Sequence, residues 1–273
     1  VRRYNLDISS CDSSHTPSIF QAYVDLHRKD VRDDAQLLVE QCTSVFKIVN
    51  PYNSKERVEL QPRIPKLFSG STMTTAINNL ANIANGVSIY DSGAYSPEEI
   101  IQACAKAGYV VTVEECEDWR RLQFLKNSPV MDTDGRLRAV LNIGVLLRLS
   151  GVRKGEYPGR GPLQPRVEAF QKGLLQGAYP RTAFTLIDNM KAKVANGKVT
   201  TAITTMVQKT LAYKTINTED KFSVSDSELY RRYDLRDHEI EEMNYLFRHA
   251  GVGDVVHCEA TDVILEADYG YKW

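Results

Sequence analysis

The segment "SPEEIIQACAKAGYVVTVEE", Ser96 to Glu115, limits the fold more than any other part of the sequence. Ser96 is a preferred N-cap, Pro97 suits the first helical position, and Glu99, three residues after the cap, completes a capping box. Gly108 stops the helix, because a residue without Cβ enters the left-handed conformation at no steric cost. The β-branched run that follows, Val110 to Val113, reads as a strand. A short helix that feeds directly into a strand excludes an all-helical or all-β arrangement here.

Upstream, "RRYNLDIS" alternates like a second strand, and Thr16-Pro17 opens a helix predicted to reach about Lys29. "DDAQLLVEQCTSVFKIVN" predicts another helix with Leu37, Leu38, Cys42, Val45 and Phe46 on one face, and both helices are expected to pack beside the first strand. "KERVELQPRIPKLFSGS" reads as extended chain with proline breaks, and "WRRLQFLKNSPV" as a hairpin. From Asp134 onward helical patterns dominate, as in "RLRAVLNIGVLLRLS", "RVEAFQKGLLQG", "RTAFTLIDNMKAKVAN" and "SDSELYRRY". The change of pattern places a boundary near residue 132, giving segments 1–131 and 132–273.

At 273 residues the chain can bury one large core or two modest ones. Its 34 basic and 35 acidic residues leave a net charge of -1, so it is not a polycation that coats nucleic acid; any such contact is local. Basic residues do gather in one glycine-rich stretch, where Arg153, Lys154, Arg160 and Arg166 surround Tyr157, either as a loop that touches phosphates and a base or as a solvated connection. No apolar run reaches the roughly 18 residues of a membrane helix. Five dispersed cysteines without a CxxC pair imply a reducing compartment and no zinc site, and the five histidines, without metal spacing, read as structural or surface residues. The opening "VRRYNLDIS" starts in a strand without an initiator Met, as expected of a fragment.

Two segments carry chemistry. In "LDISSCDSSHTP", Asp7 ends the first strand and Asp12 lies in the turn after it, so both carboxylates can face one pocket. Oxygen ligands of this kind suit Mg2+, which takes one or two protein carboxylates together with waters and substrate phosphates. Taken alone, the pair equally fits a turn cap and a solvated side chain. In "FSGSTMTTAINNLAN" a Ser-Gly turn passes into a helix whose face is built of hydroxyls and amides where a core helix would show apolar spacing.

Together, D-x4-D at Asp7 and Asp12 and S-G-x3-T-x3-N at Ser69, Gly70, Thr74 and Asn78 resemble motifs A and B of viral RNA-dependent RNA polymerases. "SPEEIIQACAKAGYVVTVEE" resembles the helix and strand of motif D, and "LQFLKNSP" the motif E hairpin, in which Phe124, Leu125 and Lys126 match the primer grip. The resemblance covers Asn5 to Val130. It implies an α+β fold, with a right-hand palm of antiparallel sheet backed by helices over 1–131 and a mostly helical thumb over 132–273, and template-directed RNA synthesis by two-metal nucleotidyl transfer. It implies Mg2+ or Mn2+ as cofactor, with Asp7 as metal ligand and Asp7 and Asp12 as catalytic residues. Asp12, Ser69, Gly70, Thr74 and Asn78 would bind the nucleotide, the Asp, Thr and Asn reading the ribose 2'-hydroxyl that separates RNA from DNA. RNA template and primer, ribonucleoside triphosphates and other replicase parts are the implied partners, and a replication complex in the host cytoplasm, or the virion, the implied location.

The pattern is incomplete. The Gly-Asp-Asp turn of motif C is missing between motifs B and D, where "NLANIANGVSIYDSGAY" reads as too short to finish a helix and build a hairpin. The missing cluster lies upstream, as in permuted polymerases, or at Asp91 or Asp254, or on another chain. The stretch from Val1 to Trp273 is therefore expected not to synthesise RNA by itself. Cys116 stands where motif D commonly carries a Lys general acid, and Arg120, Arg121 and Lys126 are the cations near it in sequence. A different class of function, a catalytically incomplete polymerase-like scaffold that binds RNA or a replication partner, fits the same residues.

Overall fold

A computed structural model describes residues 2–69, 71–151, 157, 159–178, 184–210, 222–251 and 253–272. The chain divides into two compact units, Val1–Glu115 and Cys116–Trp273. The division falls before the boundary expected near residue 132, because a β-hairpin crosses that position and Arg120 is ion-paired to Glu228, 3.1 Å away.

The first unit begins with β1 (Tyr4–Ile8), a single helical turn α1 (Cys11–Ser14), α2 (Pro17–Leu26) and α3 (Arg32–Gln41). A hairpin of β2 (Phe46–Asn50) and β3 (Asn53–Leu60) follows, then α4 (Thr74–Ser92), α5 (Pro97–Lys106) and β4 (Val111–Glu115). β1 and β4 pair antiparallel, Asp7 opposite Thr112. Tyr4, Leu6 and Ile8 point into a core with Ala81, Ile100, Cys104, Tyr109 and Val111, so alternation leaves Asn5 and Asp7 on the other face. A second core packs Ile19, Phe20 and Val24 of α2 and Ala35 and Val39 of α3 on Leu67, Met73 and Ile77.

The α5 cap is as the sequence predicts: Ser96 Oγ accepts from the Glu99 N–H, and Glu99 accepts from the Ser96 N–H. Gly108 takes φ +90°, and the bonds from the Gly108 N–H to Ala105 O and from the Tyr109 N–H to Cys104 O close a Schellman turn. Two expectations fail. α3 ends at Gln41, with Leu37 exposed; the continuation Phe46–Asn50 pairs with Asn53–Leu60 as a hairpin whose turn is fixed by the Tyr52 N–H donating to Asn50 Oδ1. α2 and α3 pack on α4 instead of beside β1.

The second unit holds β5 (Asn127–Met131) paired antiparallel with β6 (Leu137–Leu141), then α6 (Ile143–Gly151), α7 (Leu163–Ala178), α8 (Thr185–Lys193), α9 (Thr201–Thr210), α10 (Asp226–Tyr230), α11 (Asp237–His249) and α12 (Glu259–Tyr269). "RLRAVLNIGVLLRLS" is thus half strand, half helix. One core unites these elements, with Leu146, Leu174, Leu186, Ile187, Tyr230, Met243 and Ile264 almost wholly inside. Where α6 meets α12, Asp268 is buried and accepts hydrogen bonds from the Gly144 N–H (2.9 Å), Tyr233 hydroxyl (2.9 Å), Asn142 Nδ2 (3.1 Å) and Arg232 Nε (3.3 Å). The approach is close enough to require glycine: a Cβ on Gly144 would stand 2.5 Å from Asp268 Oδ2. Gly144→Ala is expected to destabilise the chain by about 1–3 kcal/mol, the usual scale of overpacking, which a urea midpoint at unchanged m-value would report.

The molecule is therefore α+β, with small antiparallel sheets and helices in the majority among the described residues. No described helix is long and apolar enough to cross a membrane.

Candidate functional site around Asp12 and Asn78

After β1 the backbone reverses sharply. The Ser9 N–H donates to Val110 O, and Ser10 adopts a left-handed conformation, φ 50°, a strained choice for a residue with a Cβ. Ser10 O then accepts from the Ser13 and Ser14 N–H groups, which winds the single turn of α1. This turn presents Cys11, Asp12 and, just after it, His15 towards α4.

Three of the predicted residues meet there. Asn78 Nδ2 donates to Asp12 Oδ1 at 2.9 Å, and the Ser69 hydroxyl donates to Asp12 Oδ2. One carboxylate thus ties the strand-end turn to the loop before α4 and to the first turns of α4 itself. The loop is anchored at both ends by buried Leu67 and Met73. Thr74 braces it internally, its hydroxyl donating to Phe68 O at 3.1 Å, and so is spent on the loop backbone rather than on Asp12. Gly70 lies outside the described residues.

Asp7 does not join this hydrogen-bonded set. It is exposed, on the face of β1 opposite Leu6 and Ile8. It is still within electrostatic reach: burial first, then the negative charges of Asp12 and Asp7, push the Cys11 thiol above its ordinary range. Cys11 stays a neutral donor, and its Sγ donates to Asn78 Oδ1 at 3.4 Å.

The sequence did not single out the residues behind Asn78. His15 is 3 % exposed; its Nε2 lies 2.8 Å from Asn78 Oδ1 and its Nδ1 3.2 Å from the Tyr109 hydroxyl. His15 also meets the rings of Phe20 and Tyr109 edge-on. Its one visible signal is its place between the D-x4-D pattern and the Thr16-Pro17 helix start. The other histidines take structural or surface roles: His27 and His249 bond carbonyls four residues back, His257 pairs with Asp262, and His238 is exposed.

The remaining candidates lie in the second unit. Phe124 and Asn127 exchange backbone hydrogen bonds of 2.9 Å, with Leu125 at φ 49° and Lys126 at φ 60°, a tight primed turn leading into β5. Phe124 and Leu125 are exposed at its tip, whereas Lys126 Nζ donates to Asp268 O at 2.5 Å and sits over the Tyr269 ring. The predicted hairpin thus starts at this turn, and Trp119–Arg121 before it form a 3-10 turn. Arg120 pairs with Asp118 and Glu228, and Arg121 with Asp234. Cys116 is buried.

Neither internal substitute for motif C has the required form. Asp91 lies in the last turns of α4, which takes up the whole stretch to Ser92; Asp254 follows α11 in a loop, accepting from the Gly251 N–H at 2.6 Å. Arg153 and Lys154 lie outside the described residues. Of the rest of that basic stretch, Tyr157 packs edge-on against Phe170, and Arg166 donates to Tyr157 O.

Among the described residues no three His, Cys, Asp or Glu side chains form a group able to hold a metal ion. The donor chemistry of an exposed Asp7 near Asp12 fits a Mg2+ that shares its shell with water and substrate phosphates, not a resident structural metal. No protein-family model and no curated protein matches the chain.

Proposed function

We propose that the first unit is the nucleotide-selecting part of an RNA-dependent RNA polymerase of viral type, a palm, and the helical second unit its thumb. The observation that carries this reading is the Asp12 carboxylate held between Asn78 Nδ2 and the Ser69 hydroxyl. An amide and a carboxylate side by side supply both a donor and an acceptor, which is what a ribose 2'-hydroxyl needs and a deoxyribose cannot use. Asp7 would hold a Mg2+ or Mn2+ ion, whose chemistry when bound is to activate the primer hydroxyl and neutralise phosphate charge. Asp12 and Asn78 orient the sugar, and Ser69 keeps the Asp12 carboxylate turned towards it. Asp91 lies within a helix and Asp254 in a loop, neither in the strand-turn-strand that carries the second acidic cluster of two-metal transfer, so this chain is proposed to read the nucleotide while another segment or chain completes the chemistry.

The test is ribose preference in binding. Calorimetric titration of the chain with ATP and dATP, both with Mg2+, is expected to favour ATP, and Asn78→Ala to reduce that preference by roughly 5- to 150-fold, the range of about 1–3 kcal/mol for an unpaired polar group. A parent chain that binds the two alike, or neither, would sink the reading and leave the RNA-binding scaffold in its place.

A further inference from the structure

We infer that His15, steered by Tyr109, is the positioning residue that fixes which way the Asn78 amide faces, and so whether Asp12 meets a donor; this rests on the ribose-reading role proposed above. An asparagine amide is nearly symmetric in shape, and only its partners decide which end carries the oxygen. Turned over, Asn78 would set Oδ1 against the Asp12 carboxylate, acceptor against acceptor.

Two donors oppose that flip by holding Oδ1 on the far side: Cys11 Sγ–H and His15 Nε2–H. For Nε2 to carry the proton in the neutral ring, Nδ1 must accept, and the Tyr109 hydroxyl is there to donate. Burial pushes Tyr109 upward, so it remains a phenol with a proton to give. Tyr109 is delivered to this position by the Schellman turn at Gly108, which fixes the chain between α5 and β4. Donor direction is therefore uniform along the row: Tyr109 to His15, His15 to Asn78, Asn78 to Asp12. Every member is in the first unit, and His15 is too buried for bulk water to take its place.

A histidine that merely filled space against Phe20 would have no preferred tautomer and no effect on sugar choice. The full chain, labelled with 15N-histidine, distinguishes the two. Long-range 1H–15N spectra are expected to show His15 as the Nε2–H tautomer, and Tyr109→Phe, which keeps the ring and removes the donor, to mix the tautomers. In titrations with ATP and dATP, His15→Phe is expected to lower the ATP preference at least about fivefold, while His15→Gln, whose amide can still donate to Asn78 Oδ1, retains most of it. Circular dichroism melts identify any variant that has failed to fold, and Tyr109→Phe then supplies the sugar-preference measurement in its stead. A chain that prefers ATP and loses the preference in Asn78→Ala but keeps it in His15→Phe overturns this inference alone. A chain that binds ATP and dATP alike overturns the ribose reading and this inference with it.

Discussion

Asp268→Ala is expected to destabilise the chain by about 3–5 kcal/mol at neutral pH, the cost of removing one partner from a buried charged pair. The residue is 2 % exposed, and its carboxylate is the shared acceptor for a helix-start N–H at Gly144, the Tyr233 hydroxyl, the Asn142 amide and the Arg232 guanidinium. Alanine leaves those donors facing a void, with the Arg232 charge uncompensated and 9 % exposed. For a unit of this size the melting temperature should fall by roughly 10 °C. The pH dependence runs opposite to that of a surface carboxylate. Burial raises the Asp268 carboxyl above its ordinary value, against the pull of Arg232, so the share of stability that comes from this shift is fully present below about pH 3.8 and is lost as pH rises through the raised value, while the contacts that alanine deletes persist at neutral pH. The stability difference between the parent and Asp268→Asn should change with that sign; a difference independent of pH, or a loss under 1 kcal/mol in Asp268→Ala, would contradict the account of this site.

The parts of the molecule legible in the sequence are those decided within a few residues. Ser96, Pro97, Glu99 and Gly108 fix α5 through local hydrogen bonds and backbone freedom, and the strand alternation of β1 needs only its own residues. Asn78 and Asp12 were legible for a different reason: polar side chains on a helix face and at a strand end are conspicuous against the apolar spacing expected there. What was not legible depends on distant partners or on rules broken locally. The bond between His15 and Tyr109 spans 94 residues, and nothing in "SSHTP" specifies it. The stretch that reads as too short for helix and hairpin is helix throughout: α4 runs through Gly86 to Ser92, and Gly93 at φ 63° supplies the stop. Leu125 and Lys126 hold the two left-handed positions of a primed turn that normally takes Asn-Gly, so the turn had no signature. The continuation from α3 into β2 shows a third cause. Apolar residues persist through Val45, Phe46, Ile48 and Val49, and their spacing alone does not separate a helix from a strand paired to the next segment.

Asp7→Ala is expected to abolish nucleotide-dependent binding of Mn2+ while leaving the fold intact. Its side chain is exposed on a two-stranded sheet and joins no hydrogen bond of the Asp12 cluster, so the change in stability should stay within about 0.5 kcal/mol. If its carboxylate is the one that meets the ion, its removal takes away several kcal/mol of charge stabilisation, on the order of a hundredfold or more in Mn2+ affinity measured by electron paramagnetic resonance with ATP present. The loss should be the same with dATP, because the proposed ion would contact phosphates and not the sugar. That indifference to the sugar separates Asp7 from Asn78, whose replacement should spare Mn2+ binding and erase the ribose preference. Cys11 offers an internal check on the placement. The Asp7 charge contributes to raising its thiol, so Asp7→Ala should make Cys11 alkylate somewhat faster near pH 8, whether or not a nucleotide is bound. Unchanged Mn2+ binding together with faster alkylation would leave Asp7 beside the site but outside its chemistry, and would remove the metal ligand from the proposed function.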